Sequence, residues 1–323
     1  MEFKLMYGDA VEKLKELPDK SINTCVTSPP YYGLRDYGIS DQIGLEETPD
    51  EYVDKLVEVF REVKRVLRDD GILWVNIGDS YAGSGKGRKA NGEVASLANS
   101  PITSTAQGQT RGNLKKTVGA KPKDLIGIPW MLAFALRADG WYLRQDIIWA
   151  KNNPMPESVK DRCTRSHEYI FMLTKNKKYY FDYEAMQEPV ANPNRKNYTC
   201  GSGKSSVNTA RNDNDIGVRS KNQHYKTRNK RDVWQVSVCS SVKEAHFAVF
   251  PGGLIEPCIL SSCPENGWVL DPFSGSGTSG IVATNNNRNY IGIDLNPEYI
   301  EITKRRVEKE CTNTSIVEVS DVL

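Results

Sequence analysis

The chain has 323 residues, 38% of them hydrophobic, and a net charge of +2 from 43 basic and 41 acidic side chains. That length suits one large α/β domain carrying an insertion, and so small a total charge leaves any argument about partners to how the charges are distributed. Seven cysteines without a C-x-x-C pair, with three scattered histidines, point to reduced cytoplasmic thiols and away from a disulfide framework or zinc site. Residues 1–11 lack the apolar stretch of a signal peptide, and no stretch has the length of a membrane span.

In chain order, Phe3-Lys4-Leu5-Met6-Tyr7 predicts a strand, closed by Gly8-Asp9. Ala10, Val11, Leu14 and Leu17 then have helical spacing, and Pro18 stops that helix. Asp9 stands at a strand's carboxyl end, where open α/β sheets bind ligands, and it is equally suited to capping the helix. Ile22-Asn23-Thr24-Cys25-Val26 reads as a buried strand. Thr27-Ser28-Pro29-Pro30-Tyr31 ends it in a stiff turn, because the two prolines fix φ and carry no N–H. The turn holds the Ser28 hydroxyl and nearby carbonyls beside the Tyr31 ring, which suits a planar group bearing an amine. It is also what an ordinary strand end would look like.

Thr48-Pro49-Asp50-Glu51 is a capping-box helix start, and Tyr52, Leu56, Val59, Phe60, Val63, Val66 and Leu67 make one apolar face that Gly71 should end. Ile72-Leu73-Trp74-Val75-Asn76-Ile77 is the next strand. Residues 82–123 turn polar, with Lys115 and Lys116 among eight basic residues against one acid, Glu93. That is either a disordered loop or, as the lopsided charge favours, a flexible loop that grips phosphates. A helix opened by Pro129 and closed by Gly140 follows, then extended segments near 141–149. The strand from His167 to Leu173 and Tyr179-Tyr180-Phe181 suggest an antiparallel hairpin at a sheet edge. Residues 192–231 form a second basic tract with interleaved Asn and Gln. Arg211, Arg219, Arg228 and Arg231 lie there, and Arg and Asn are the side chains that read base edges in the major groove. Residues 254–263 predict a helix, and Trp268-Val269-Leu270 a strand.

That strand delivers Asp271-Pro272-Phe273-Ser274-Gly275-Ser276-Gly277-Thr278, which leads into a helix over 278–284. Gly275 and Gly277 allow a tight turn and close approach of a ligand, and the helix N-terminus favours an anion. The strand Asn289-Tyr290-Ile291-Gly292-Ile293 ends in Asp294, 23 positions after Asp271. That is close to the ~20-residue spacing at which a strand-end acid meets a ribose hydroxyl. Asn296 and Pro297 cap and open the last helix. Gly275 to Gly280 also contains G-x-G-x-x-G, so the glycines alone leave a dinucleotide fold open.

Together the two stretches resemble the DNA amino-methyltransferases that use S-adenosylmethionine (SAM). Ser28-Pro29-Pro30-Tyr31 is similar to their S-P-P-Y catalytic motif, and residues 271–278 to their D-P-F-x-G-S-G-T cofactor motif. The catalytic motif comes first, as in the permuted beta group. The resemblance covers most of the chain but not the two basic tracts. It implies a Rossmann-like α/β fold, a doubly wound, mostly parallel sheet with circularly permuted motif order plus basic insertions. Residues 1–81 and 124–190 would form the catalytic half, 82–123 a DNA-contacting insertion, 191–232 the target-recognition segment and 233–323 the SAM-binding half. It also implies that Asp9 lies near the adenine ring, that Phe250 and Pro251 line the methionine end, and that an edge hairpin, with Trp149, Lys151 and residues 152–156, walls the base pocket. Phe273, Ser274, Thr278 and Asn296 join the cofactor set by the same resemblance.

The chemistry suits these residues. An exocyclic amine is a poor nucleophile, and acceptors such as Ser28 Oγ and the Pro29 carbonyl would stabilise the charge it develops. Tyr31 would stack on a base swung out of the duplex. Asp271 would accept from the SAM ammonium group and Asp294 from its ribose. S-P-P-Y in the resembling families accompanies cytosine, so the expected product is N4-methylcytosine in double-stranded DNA, with N6-adenine the alternative. A catalytically idle DNA-binding protein and an RNA or small-molecule methylase are the lesser readings. A companion restriction endonuclease and a homodimer are the partners the resemblance suggests, in a prokaryotic or phage-encoded cytoplasmic enzyme.

Overall fold

A computed structural model describes residues 1–33, 42–82, 119–190, 226–238, 250–312 and 314–319. Its elements are, in order, β1 (Glu2–Tyr7), α1 (Ala10–Lys15), β2 (Ile22–Thr27), α2 (Pro49–Val66), β3 (Leu67–Ile77), α3 (Ile128–Ala138), β4 (Tyr142–Ala150), β5 (His167–Thr174), β6 (Gln187–Pro189), β7 (Thr227–Asn229), β8 (Val233–Gln235), α4 (Gly252–Ser262), β9 (Trp268–Asp271), α5 (Thr278–Asn285), β10 (Asn289–Asp294), α6 (Pro297–Glu310) and β11 (Ser315–Val319). Lys115, Lys116, Arg211 and Arg219 lie outside the described residues, as do most of both basic tracts.

Among the described residues nine strands form one sheet in the order β11-β1-β10-β9-β2-β3-β5-β4-β8. The run from β11 to β3 is parallel throughout, and β5 is antiparallel to both of its neighbours. The sheet is buried on both faces, and the alternation of side chains along a strand shows how. Leu73, Val75 and Ile77 of β3 enter one core with residues of α1, α2 and α3. Ile72 and Trp74 enter the other, with residues of α4, α5 and α6. This is the expected doubly wound α/β fold. No helix among the described residues is long and apolar enough to cross a membrane.

Helix α2 forms as its sequence predicts. Thr48 accepts from Glu51 N, and the Glu51 carboxylate accepts from Thr48 N, completing a capping box. It ends at Val66, however, and Gly71 lies inside β3. Leu67 is fully buried and pairs with Ile22, so the sheet takes residues that helical spacing would have kept.

The expected edge hairpin is absent. Residues 179–181 are not a strand; Tyr180 N donates to the Asp70 carbonyl and Asp182 N to that of Ser261, so the segment crosses the ends of β3 and α4. Strand β5 pairs instead with β3 and β4 inside the sheet, and β8 forms that edge.

Candidate active site

The two motifs meet because β2 and β9 are adjacent and parallel, with Thr24 opposite Val269 and Cys25 opposite Leu270. Their carboxyl ends therefore lie side by side, although they are far apart in sequence. Thr27, the last residue of β2, donates its hydroxyl to Asp271 Oδ1 at 2.6 Å. Ser279 Oγ donates to Asp271 Oδ2 at 2.7 Å, and Phe273 N to Oδ1 at 3.1 Å. Asp271 is 1% exposed. Burial pushes its pKa up to about 6, and these three hydrogen bonds pull against that rise. The residue expected to receive the SAM ammonium is thus also the joint that fastens the catalytic turn to the cofactor loop.

Two glycines shape that loop differently. Gly275 has φ +52°, and a Cβ built on it would meet nothing nearer than the Phe273 carbonyl at 4.0 Å. Gly277 has φ +75°, and its Cβ would collide with Thr303 Cγ2 of α6. One face of the loop is therefore open and the other closed. Asp294 lies beside the open one. Its Oδ2 accepts from Gly275 N at 2.7 Å and its Oδ1 from Asn296 N at 2.8 Å. Burial, with a smaller contribution from the Asp271 charge, lifts its pKa to about 7. Among the described residues no cation pairs with it, so it is suited to accept from neutral donors such as sugar hydroxyls.

Supporting contacts come from α6 and β10. Thr303 Oγ1 donates to the Gly275 carbonyl at 3.0 Å. Arg306 Nη1 donates to Ser276 O at 2.7 Å, Ser276 Oγ at 3.0 Å and Thr278 Oγ1 at 3.1 Å. Ser274 Oγ shares a 2.9 Å hydrogen bond with Tyr290 Oη. Asn296 caps α6 through Glu298 N. Asp9 caps α1, accepting from Val11 N and Glu12 N, so the capping role is realised. It nonetheless flanks the cofactor loop, because Gly8 N donates to the Asp294 carbonyl. Phe273 packs on the first core, Phe250 is buried, and Pro251 is the residue before α4.

The turn after β2 rests on strands β3 and β5. Tyr31 Oη donates to Glu168 Oε2 at 2.6 Å, and the other Glu168 oxygen pairs with Lys151. Burial and the Glu168 charge hold the Tyr31 phenol well above its ordinary pKa, so it remains a donor. Asn76, 3% exposed, donates to the Tyr169 carbonyl at 3.1 Å and to Glu168 Oε2 at 3.4 Å. Its Oδ1 lies 3.5 Å from Ser28 Oγ. Tyr52 Oη donates to the Pro30 carbonyl at 2.7 Å, which engages that carbonyl and not that of Pro29.

Some expectations fare differently. Trp149 is 3% exposed in the second core, its indole N–H donating to Val236 O, so it does not line an open wall. Lys151 reaches the site through Glu168. Arg228 and Arg231 both pair with Glu188, across the ribbon of β6 and β7. Thr27, Asn76, Glu168, Ser279, Thr303 and Arg306 were not singled out from sequence. Asn76 carried the clearest signal, a polar amide inside an otherwise apolar strand.

The sequence model of the DNA methylase family of N6/N4 methyltransferases matches residues 22–305. The type II methyltransferase M.Cfr9I of Citrobacter freundii is 47% identical over 96% of this chain and 89% of its own length. Among solved structures, the PvuII DNA methyltransferase (cytosine-N4-specific) superposes with a TM-score of 0.62 at 19% identity, over 95% of this chain and 86% of that one. The M1.HpyAVI–SAM complex does so with a TM-score of 0.52 at 19% identity, over 94% and 98%. With a proline-stiffened turn bonded to a glycine-cornered loop at the carboxyl ends of a doubly wound sheet, the chain belongs to the N6/N4 DNA methylase family, whose methyl donor is S-adenosyl-L-methionine.

Proposed function

We propose that this chain transfers a methyl group from SAM to the exocyclic N4 amine of cytosine, in double-stranded DNA from which the base has been flipped. The observation that carries the reading is the Thr27–Asp271 hydrogen bond. It ties Thr27, the residue before the neutral hydroxyl of Ser28, to the strand end that opens the cofactor loop. The open side of Gly275 and the buried Asp294 carboxylate fit the ribose end of SAM, and the N-terminus of α5 fits its carboxylate. When bound, SAM supplies an electrophilic methyl on sulfonium sulfur.

The protein's part is placement and charge. Ser28 Oγ and the Pro29 carbonyl accept from the two amine hydrogens, which frees the nitrogen lone pair and spreads the developing positive charge. Tyr31, anchored at its hydroxyl by Glu168, offers its ring for stacking, which offsets part of the few kcal/mol that unstacking the base costs. Lys115 and Lys116 are assigned to phosphates, and Arg211, Arg219, Arg228 and Arg231 to sequence choice. The matched relatives are named type II methyltransferases, which supports a companion endonuclease recognising the same site, in the cytoplasm of a bacterium.

The deciding experiment treats DNA with the enzyme and SAM, digests it to nucleosides and identifies the modified one. N4-methylcytosine is expected. N6-methyladenine alone would overturn the choice of base while keeping the family, and 5-methylcytosine would overturn the mechanism, since that reaction needs a covalent nucleophile. Ser28→Ala should lose most turnover while retaining SAM and DNA affinity.

A further inference from the structure

Hydrogen-bond polarity around the catalytic turn can be worked out donor by donor. Two groups that can only accept face Asn76: the Tyr169 carbonyl at 3.1 Å and the Glu168 carboxylate at 3.4 Å. The amide must therefore present Nδ2 to them and Oδ1 to the opposite side. On that side lie the hydroxyls of Tyr31 at 3.4 Å and Ser28 at 3.5 Å. Tyr31 has one hydrogen, and it goes to Glu168 at 2.6 Å, the shorter and charge-assisted bond. Ser28, which also bonds the Tyr31 hydroxyl oxygen, is then the remaining donor for a buried amide oxygen. Its long contact is of the kind that tightens when substrate is seated.

We infer that Asn76 is a positioning residue, locked by Glu168 and the Tyr169 carbonyl, that draws the Ser28 hydroxyl hydrogen inward and leaves the Ser28 lone pairs facing the target amine. A serine hydroxyl can donate or accept, and only the accepting orientation helps an amine attack. Without Asn76 the Tyr31 oxygen is the inward acceptor that is left, and orientations that point a hydrogen at the amine gain weight. Being a neutral amide with both nitrogen hydrogens engaged, Asn76 moves no proton; its action is entirely on the direction of one O–H bond. Glu168 acts at one remove, since a carboxylate cannot offer the donor that would let the amide turn over. Lys151 pairs with its other oxygen. The inference rests on the amino-methyltransferase reading of the site.

The test is a mutant cycle on methyl transfer from radiolabelled SAM to DNA, which counts product whichever base is modified. Asn76→Ala is expected to lower kcat about 10–100-fold, with the KM for DNA and the Kd for SAM changed no more than about twofold. In a Ser28→Ala background the same change should cost nothing further, because the hydroxyl it orients is gone. Glu168→Gln, nearer the surface and isosteric, should reproduce the kcat loss in a milder form, and it carries the test if Asn76→Ala does not fold. A folded variant of either kind that turns over at the parental rate overturns the inference. So does an Asn76→Ala loss equally large with and without Ser28. If the unmodified enzyme transfers no label to DNA, it is the proposed function that fails, and that outcome is separate.

Discussion

Gly275→Ala and Gly277→Ala, one turn of backbone apart, should fail in opposite ways. Both residues have positive φ, so each alanine carries the left-handed penalty of about 1–2 kcal/mol. At Gly275 that is the whole structural cost, because the new methyl meets only the Phe273 carbonyl, 4.0 Å away. The melting temperature should fall by only a few degrees. The same methyl projects into the open side of the loop, where the cofactor reading places SAM. Overpacking against a ligand costs about 1–3 kcal/mol, or roughly 5- to 150-fold in Kd. At Gly277 the methyl runs into Thr303, itself 1% exposed, so strain and overpacking add to about 2–5 kcal/mol of stability. Thermal unfolding and calorimetric titration of SAM on both variants separate the two effects. A folded Gly275→Ala protein with undiminished SAM affinity would show that the cofactor does not lie against that face, and the assignment of Asp294 to the ribose would go with it.

Four further outcomes are expected. Asp294 holds its proton to about pH 7 in the free protein and would lose it near pH 4 when unfolded; its contribution to stability therefore declines as pH rises from about 4 through 7. Ribose hydroxyls favour the ionised form, so SAM should bind more tightly up to about pH 7 and release protons below it. Titrations in two buffers of different ionisation enthalpy that give the same heat would contradict this. Thr27→Val removes one of three donors from the buried Asp271 carboxylate and should cost about 1–3 kcal/mol in urea unfolding, and no loss of stability would mean the joint is not load-carrying. Neutralising Lys115 and Lys116 should weaken binding to all DNA sequences alike and flatten the salt slope by about one unit per lost phosphate contact. Replacing Arg211, Arg219, Arg228 or Arg231 should relax sequence choice, and unchanged specificity would move recognition to the other basic tract.

The parts of the site legible in sequence are those punctuated by backbone chemistry. Prolines after β2 and glycines after β9 mark strand ends, and strand ends are where this fold puts ligands. Asn76 and Glu168 were not legible in this way, because their roles depend on β5 entering the sheet antiparallel beside β3, which places Asn76 opposite Ile170. Register of that kind is a tertiary outcome. Tyr179-Tyr180-Phe181 misled for a related reason. Aromatic residues favour a strand, yet the N–H groups of Tyr180 and Asp182 found carbonyls on Asp70 and Ser261. Strand β11 went unread because so short a segment becomes a strand only when β1 is there to pair with it.

The adjacency of β2 and β9 also bears on how the chain is made. Thr27 and Asp271 are 244 residues apart, so at about 5–20 residues per second the first leaves the ribosome roughly 12–50 s before the second exists. Throughout that interval one side of β2 has no partner, and the hydrophobic residues meant for the α4–α5 core have nothing to cover them. A nascent chain of this protein therefore presents an open strand edge for tens of seconds and acquires methyl-transfer chemistry only as its last quarter emerges. Faster synthesis or a chaperone that shields β2 should raise the yield of soluble enzyme more than any change within the site itself.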